Sequence, residues 1–127
     1  MKKEIADIWV KALNSKKYKQ TTDYLCQIDN NGNKSFCCLG VLCDLYQQDR
    51  VEKKKKKLKV DDDDNFNYMV SFDGETKGLP SSVMKWAGIK KSDGTHCEDR
   101  YNLAEMNDNG YTFSEIAKHI KKNYEEI

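Results

Sequence analysis

Long apolar runs are missing from this 127-residue chain, and so is a surplus of charge of either sign. No stretch approaches the roughly 20 apolar residues that a transmembrane helix needs. The opening "MKKEIADIWVKAL" starts basic but has no continuous apolar core and carries Glu4, Asp7 and Lys11, so a secretory leader is not expected. Net charge is +1, from 22 basic and 21 acidic residues, and only Arg50 and Arg100 are arginines. A nucleic-acid binder ordinarily carries a basic stripe. Here the longest basic run, Lys53–Lys57, is followed by Asp61–Asp64, and the two blocks largely cancel beyond a Debye length. Walker and GxGxxG patterns are absent, which removes the phosphate-cradling folds. The expectation is a cytoplasmic protein with neither membrane nor nucleic acid as partner.

Five cysteines are an odd number for a disulfide frame. In the cytosol thiols stay reduced, and the glycosylation pattern Asn33-Lys34-Ser35 has no meaning there. Length favours one domain over 1–127, with enough chain for a real core. Charged residues reach 34% and apolar ones only 38%. That deficit is local, concentrated in a charged excursion at about 49–65, so the two ends still read as packed structure.

Ile5, Ile8, Trp9, Ala12 and Leu13 recur at helical spacing and predict a helix over 3–15. Residues 24–28 and 35–37 predict a hairpin around the turn signal "NNGN". Residues 39–49 read as a second helix, with Cys38, Val41, Leu42 and Leu45 on one face. Gly40 within it implies close backbone packing or a first-turn position, since glycine costs ~1 kcal/mol in a helix interior. Alternation of Tyr68, Val70 and Phe72 predicts a strand over 67–72. "LPSSVMKWAG" predicts a short helix stopped by Gly88, and "NLAEMNDNG" a helical turn or strand. Thr112 and Glu115 form a capping-box pattern before the stripe Phe113, Ile116, Ala117, Ile120 and Tyr124. The sum is an α+β fold, three or four helices packed on a small antiparallel sheet.

The block "SFCCLGVLCDLY", Ser35–Tyr46, holds three of the cysteines. On a helix Cys38 and Cys43 point about 140° apart and cannot share one ion. Buried free thiols behave as small hydrophobes. A cysteine nucleophile would need a base. His119 falls between the apolar and charged faces of the last helix and reads as a partly exposed surface residue, while His96 lies in a loop beside Cys97. No metal, cofactor or catalytic residue is therefore expected. An EF-hand reading of Asp61, Asp63 and Asn65 fails, because Phe66 and Phe72 stand where glycine and glutamate are needed. The densest ligand-capable cluster precedes the last helix. Asn107 and Asp108 lie just before its N-terminus, where amides attract anions. Arg100 and Asn102 lie upstream, and Trp86, Tyr101 and Tyr111 offer stacking faces.

"WVKAL" (9–13), "YKQT" (18–21), "FCCLGVLCDLY" (36–46), "LPSSVMKWAG" (79–88) and "NLAEMNDNGYTFSEIAKHI" (102–120) together resemble a family of small accessory proteins of tailed phages and prophages. The likeness covers nearly the whole chain apart from 47–78. There the family is usually acidic and glycine-rich, whereas this chain has a lysine block followed by an aspartate block. The resemblance carries no catalytic residues. It implies an anti-defence protein in the host cell cytosol that sequesters a small anionic nucleotide-like immune signal, as a sponge. Arg100 and helix amides would hold phosphates, aromatics would stack the base, and Asn102, Asn107 and Asp108 would contact ribose. Exposed aromatics would accommodate a homo-oligomer. The alternatives are a protein-binding inhibitor of a host enzyme and a cysteine-dependent enzyme acting on such a signal.

Overall fold

The periodic apolar positions near the start form helix α1 (Lys3–Asn14) in the computed structural model, which describes residues 1–62 and 68–127. Its buried face is Ile5, Ala6, Trp9 and Leu13. Ile8 departs from the predicted stripe and is 40% exposed. At 3.6 residues per turn it projects roughly 115° from the centre of the buried arc. α1 packs chiefly on the last helix, so the two ends of the described chain close the same core.

β1 (Cys26–Ile28) and β2 (Lys34–Phe36) form the hairpin, with Cys26 opposite Phe36 and Ile28 opposite Lys34. Asp29 shapes its turn. The carboxylate accepts from the backbone N–H of Asn31 and of Asn33, both at 2.9 Å, while Gly32 takes φ +82°. The strands are shorter than predicted at their outer ends. Leu25 donates instead to Thr76 O, and Cys37 becomes the N-cap of the next helix.

That helix, α2 (Cys38–Glu52), is central. Sequence periodicity assigns it one apolar face, yet all of Cys38 to Cys43 is buried. Its first turns are enclosed by α1, by the sheet and by two later helices, so no side of that half meets water. Gly40 satisfies both expectations held for it. It lies in the first turn, and a Cβ there would land on the Leu25 carbonyl, well inside van der Waals contact.

The charged excursion is partly built. α2 runs on to Glu52, Leu58 is buried, and β3 (Val60–Asp61) pairs with β4 (Met69–Phe72). The strand order is β2-β1-β4-β3, antiparallel throughout. Val70 and Phe72 point inward, as their alternation predicts. Tyr68 is exposed with φ +57° and lies just before β4. Asp63, Asn65, Phe66 and Asn67, which enter the calcium and strand readings, fall outside the described residues.

α3 (Ser81–Ala87) ends at Gly88 in the left-handed conformation, φ 73°. α4 (Leu103–Asp108) is capped by Asn102, which settles "NLAEMNDNG" as helix. α5 (Phe113–Asn123) carries the complete Thr112–Glu115 capping box and runs into a 3-10 turn, Tyr124–Glu126. Among the described residues five α-helices therefore stand where three or four are predicted, and the class is α+β. Trp9, Leu39, Leu42, Leu103, Ile116 and Ile120 are fully buried at the centre. No helix among the described residues is long and apolar enough to cross a membrane.

Gly40→Ala forces the α2 backbone away from Leu25. Overpacking of this kind costs typically 1–3 kcal/mol, and backbone on both sides puts this case at about 3 kcal/mol or more. Urea unfolding monitored by circular dichroism should show that loss. An unchanged midpoint would contradict the close approach.

Candidate functional site

Four of the five cysteines are walled in. Cys26, Cys37, Cys38 and Cys43 are buried, and all five are free thiols. Burial pushes the Cys26 thiol up to about 12 and the Cys37 thiol up to about 11, the latter despite the Gly40 N–H donating to its sulfur at 3.4 Å. Cys38 and Cys43 are raised well above the ordinary range for the same reason. A thiolate is the reactive form, so none of these four is primed as a nucleophile at neutral pH. Cys37 caps α2 through its sulfur, and Cys38 accepts the Trp9 indole N–H on its carbonyl at 2.9 Å. Among the described residues no group of three or more histidine, cysteine or carboxylate side chains could hold a metal ion.

The residues expected before α5 do not form one ligand shell. Asn107 is 1% exposed, and its amide is fully engaged inside the fold. Its Oδ1 accepts from Gln20 Nε2 at 2.9 Å and from the Cys38 N–H at 3.1 Å, while its Nδ2 donates to Thr21 O at 2.8 Å. It thus anchors the start of α2 and cannot contact a ribose. The α5 amides are engaged too. Thr112 Oγ1 accepts from Glu115 N–H, and Gln20 Oε1 accepts from Phe113 N–H at 3.2 Å. Asn102 caps α4 and donates to Asp93 and Thr95. Asp108 accepts from the Asp23 N–H at 2.9 Å and lines a cleft of about 340 Å³ with Asp23, Tyr24, Lys77 and Asp93. Three carboxylates against one lysine make that cleft unfavourable to an anion. Trp86 sits edge-on to Tyr46 at 5.4 Å, half-buried against the core.

Tyr101 and Tyr111 each lie by His119, part of a feature with no signal in the sequence. His96 and Tyr101 exchange both backbone hydrogen bonds, at 2.9 and 3.2 Å, and close a small loop. Inside it Cys97, Glu98 and Asp99 take φ of 54°, 56° and 64° in succession. A left-handed conformation costs a non-glycine residue roughly 1–2 kcal/mol, and three in a row form a strained turn. Such strain is held only where surrounding contacts determine it, and it clusters at functional sites. Here those contacts are rings. Tyr101 stacks on His96 at 5.6 Å and meets His119 edge-on at 4.7 Å. Arg100, exposed, ends the turn by donating its N–H to Cys97 O.

The two histidines are joined directly, Nε2 to Nε2, at 2.7 Å. Their tautomers follow from the neighbours. His96 Nδ1 lies 2.6 Å from Gly94 O, which can only accept, so Nδ1 carries the proton and Nε2 accepts. His119 Nε2 must then donate. Its Nδ1 is left as an acceptor, facing the Asn123 amide at 3.5 Å, whose Nδ2 also donates to His119 O at 3.0 Å. A further proton has no easy place. On His96 Nε2 it would set two N–H groups head-on, and on His119 Nδ1 it would displace Asn123. His119 titrates below its ordinary range, through burial first, then its electrostatic interactions with His96 and Lys122.

His119 also lines an open groove of about 350 Å³ with Met106, Tyr111, Glu115, Lys118 and Lys122. Positions 115, 118, 119 and 122 are one face of α5, spaced i, i+3, i+4 and i+7. The Glu115 carboxylate is tied into the cap and accepts from Thr112 N–H at 3.0 Å. Among the described residues neither Lys118 nor Lys122 has an ion-pair partner. The groove therefore presents two ammonium groups, an imidazole and an exposed phenol ring. The chain belongs to the family described as a domain of unknown function (DUF8296), whose pattern matches residues 1–124. No curated protein and no solved structure matches it.

Asn107→Ala would orphan the buried Cys38 N–H, free the Thr21 carbonyl, and leave Gln20 Nε2 with Tyr111 O alone. At 1–3 kcal/mol for a buried unsatisfied group, the loss should be about 3 kcal/mol in a urea titration. A loss below about 0.5 kcal/mol, the range of ordinary surface substitutions, would contradict the anchoring role.

His119 makes stability depend on pH. An unfolded His119 takes up a proton near its ordinary pKa of about 6.5, whereas the folded one does so only at lower pH. Stability present above that value is therefore lost on acidification through it. Melting temperature should fall between about pH 7 and pH 5, a window above ordinary carboxylate titration. His119→Gln keeps an N–H donor toward His96 but does not titrate, so its fall should be smaller. Equal slopes would argue against the pair.

Proposed function

We propose that this protein is a non-enzymatic phage-type accessory protein that binds and withholds a small, anionic, nucleotide-like signal. The observation that carries the reading is the α4–α5 groove, where the Tyr111 ring adjoins Lys118, His119 and Lys122, with Tyr101 packed behind the imidazole. An aromatic face suits a base, and clustered cations suit phosphates. A volume of about 350 Å³ is within the range of small-molecule sites. Binding rests here on Tyr111, Lys118 and Lys122, with Tyr101 against His119 and Arg100 next to Tyr101 in the chain. Asn102 and Asn107 serve the scaffold. The raised thiol pKa values of the four buried cysteines speak against the cysteine-dependent alternative.

Isothermal titration against cyclic mononucleotides, cyclic dinucleotides and ADP-ribose derivatives tests this reading. One of these should bind saturably, and Lys118→Gln with Lys122→Gln should weaken it at least about tenfold, some 1.4 kcal/mol. The ligand should be recovered intact after heat denaturation. Absence of binding by folded protein, or recovery of a chemically altered ligand, would overturn the proposal.

A further inference from the structure

The lysine block is not a loose solvated run. Leu58 is buried at 6% exposure and pins its far end. Gln47 grips that residue on both sides, accepting from the Leu58 N–H at 2.8 Å and donating to its carbonyl at 3.1 Å. Lys59 is fixed in turn by Asp73. The Lys59 N–H donates to the Asp73 carboxylate at 2.7 Å, and the Asp73 N–H donates to Lys59 O at 2.8 Å. The backbone of this segment is therefore held by side-chain and main-chain bonds together. None of these bonds uses a lysine ammonium group.

The basic segment then divides in two. Arg50 and Lys53 share the Asp49 carboxylate as ion-pair partner, Lys53 at 3.0 Å. Lys56, Lys57 and Lys59 have no ion-pair partner among the described residues. These three line one cavity of about 500 Å³, together with Tyr46, Leu58, Asp73 and Ser82. Among the described residues Asp73 is the single carboxylate in that lining, and it is already engaged by the Lys59 N–H. Like charges gathered at a fixed site destabilise the fold through mutual repulsion. An anion in the cavity removes that cost.

We propose that the cavity bounded by Lys56, Lys57 and Lys59 is a binding site for a compact oligophosphate, separate from the α4–α5 groove. Three ammonium groups match the several charges of a triphosphate better than the two of an orthophosphate. The cavity volume is that of a small-molecule site, not of a single ion. A nucleic-acid strand fits less well. The exposed Asp62 lies three residues on from Lys59 and repels an extended polyanion, and the fork geometry that arginine gives to backbone phosphates is absent from the described lining.

Inorganic triphosphate is the probe, titrated calorimetrically at constant ionic strength, beside orthophosphate, sulfate and a single-stranded oligonucleotide without a 5′-phosphate. The expected result is one-to-one binding of triphosphate, at least about tenfold tighter than orthophosphate or sulfate. Triphosphate should also raise the melting temperature. The triple substitution Lys56→Gln, Lys57→Gln, Lys59→Gln should abolish both effects. Because the fold uses only the backbone at these positions, that variant should melt no lower than the parent when both are ligand-free. Lys118→Gln with Lys122→Gln should leave triphosphate binding unchanged, which separates this site from the groove. The proposal is overturned if triphosphate does not bind, if the triple variant binds it equally well, if sulfate matches it, or if the oligonucleotide binds more tightly at the same lysines.

Discussion

One buried amide holds the architecture together. Asn107 sits where α4 meets the start of α2, and it serves the Cys38 N–H, Gln20 and the Thr21 carbonyl at once. The first turn of a helix has N–H groups with no partner of their own, and at α2 that turn is buried on every side. Without an acceptor delivered from another element, the central helix could not be enclosed as it is. Gln20 extends the linkage. Its side chain donates to Asn107 and to Tyr111 O, and it accepts from Phe113 N–H. Two side-chain amides thereby join the segment before β1, the start of α2, the end of α4 and the start of α5.

This polar hub explains why the cysteine-rich block is scaffold. Cys37 caps α2, Cys38 presents its N–H to Asn107 and its sulfur to Leu103 O, and Gly40 lets Leu25 press against the helix. Small, weakly polar side chains are what such close approach demands. The same burial that fits them for packing keeps their thiols protonated. Packing and reactivity ask for opposite environments, and this site has the one that packs.

Surface chemistry is concentrated where backbone is locally constrained. The left-handed turn Cys97–Asp99 is held by the stacking of Tyr101 on His96, and the His96–His119 bond ties that turn to α5. The lysine segment is held by Leu58, Gln47 and Asp73. In both places the constraint fixes which charges and rings face solvent together. Two cation-bearing surfaces result, one on each side of the core's polar hub in sequence.

Local patterns were legible in the sequence wherever local physics decides. The α5 capping box, the Asp29–Asn33 turn, the Gly88 stop and the alternation of Val70 with Phe72 each follow from interactions within a few residues. So did the α+β class, and so did the demand for close packing at Gly40. What the sequence could not show were partners 23 to 87 residues apart: His96 with His119, and Gln20 with Asn107. "CEDR" contains no glycine, so its left-handed turn leaves no compositional trace. The ligand cluster read before α5 dissolved for the same reason. A sequence lists Asn107 and Asp108 as neighbours, but a helix turns successive side chains about 100° apart. Only the tertiary structure decided that one faces the core and the other a separate cleft.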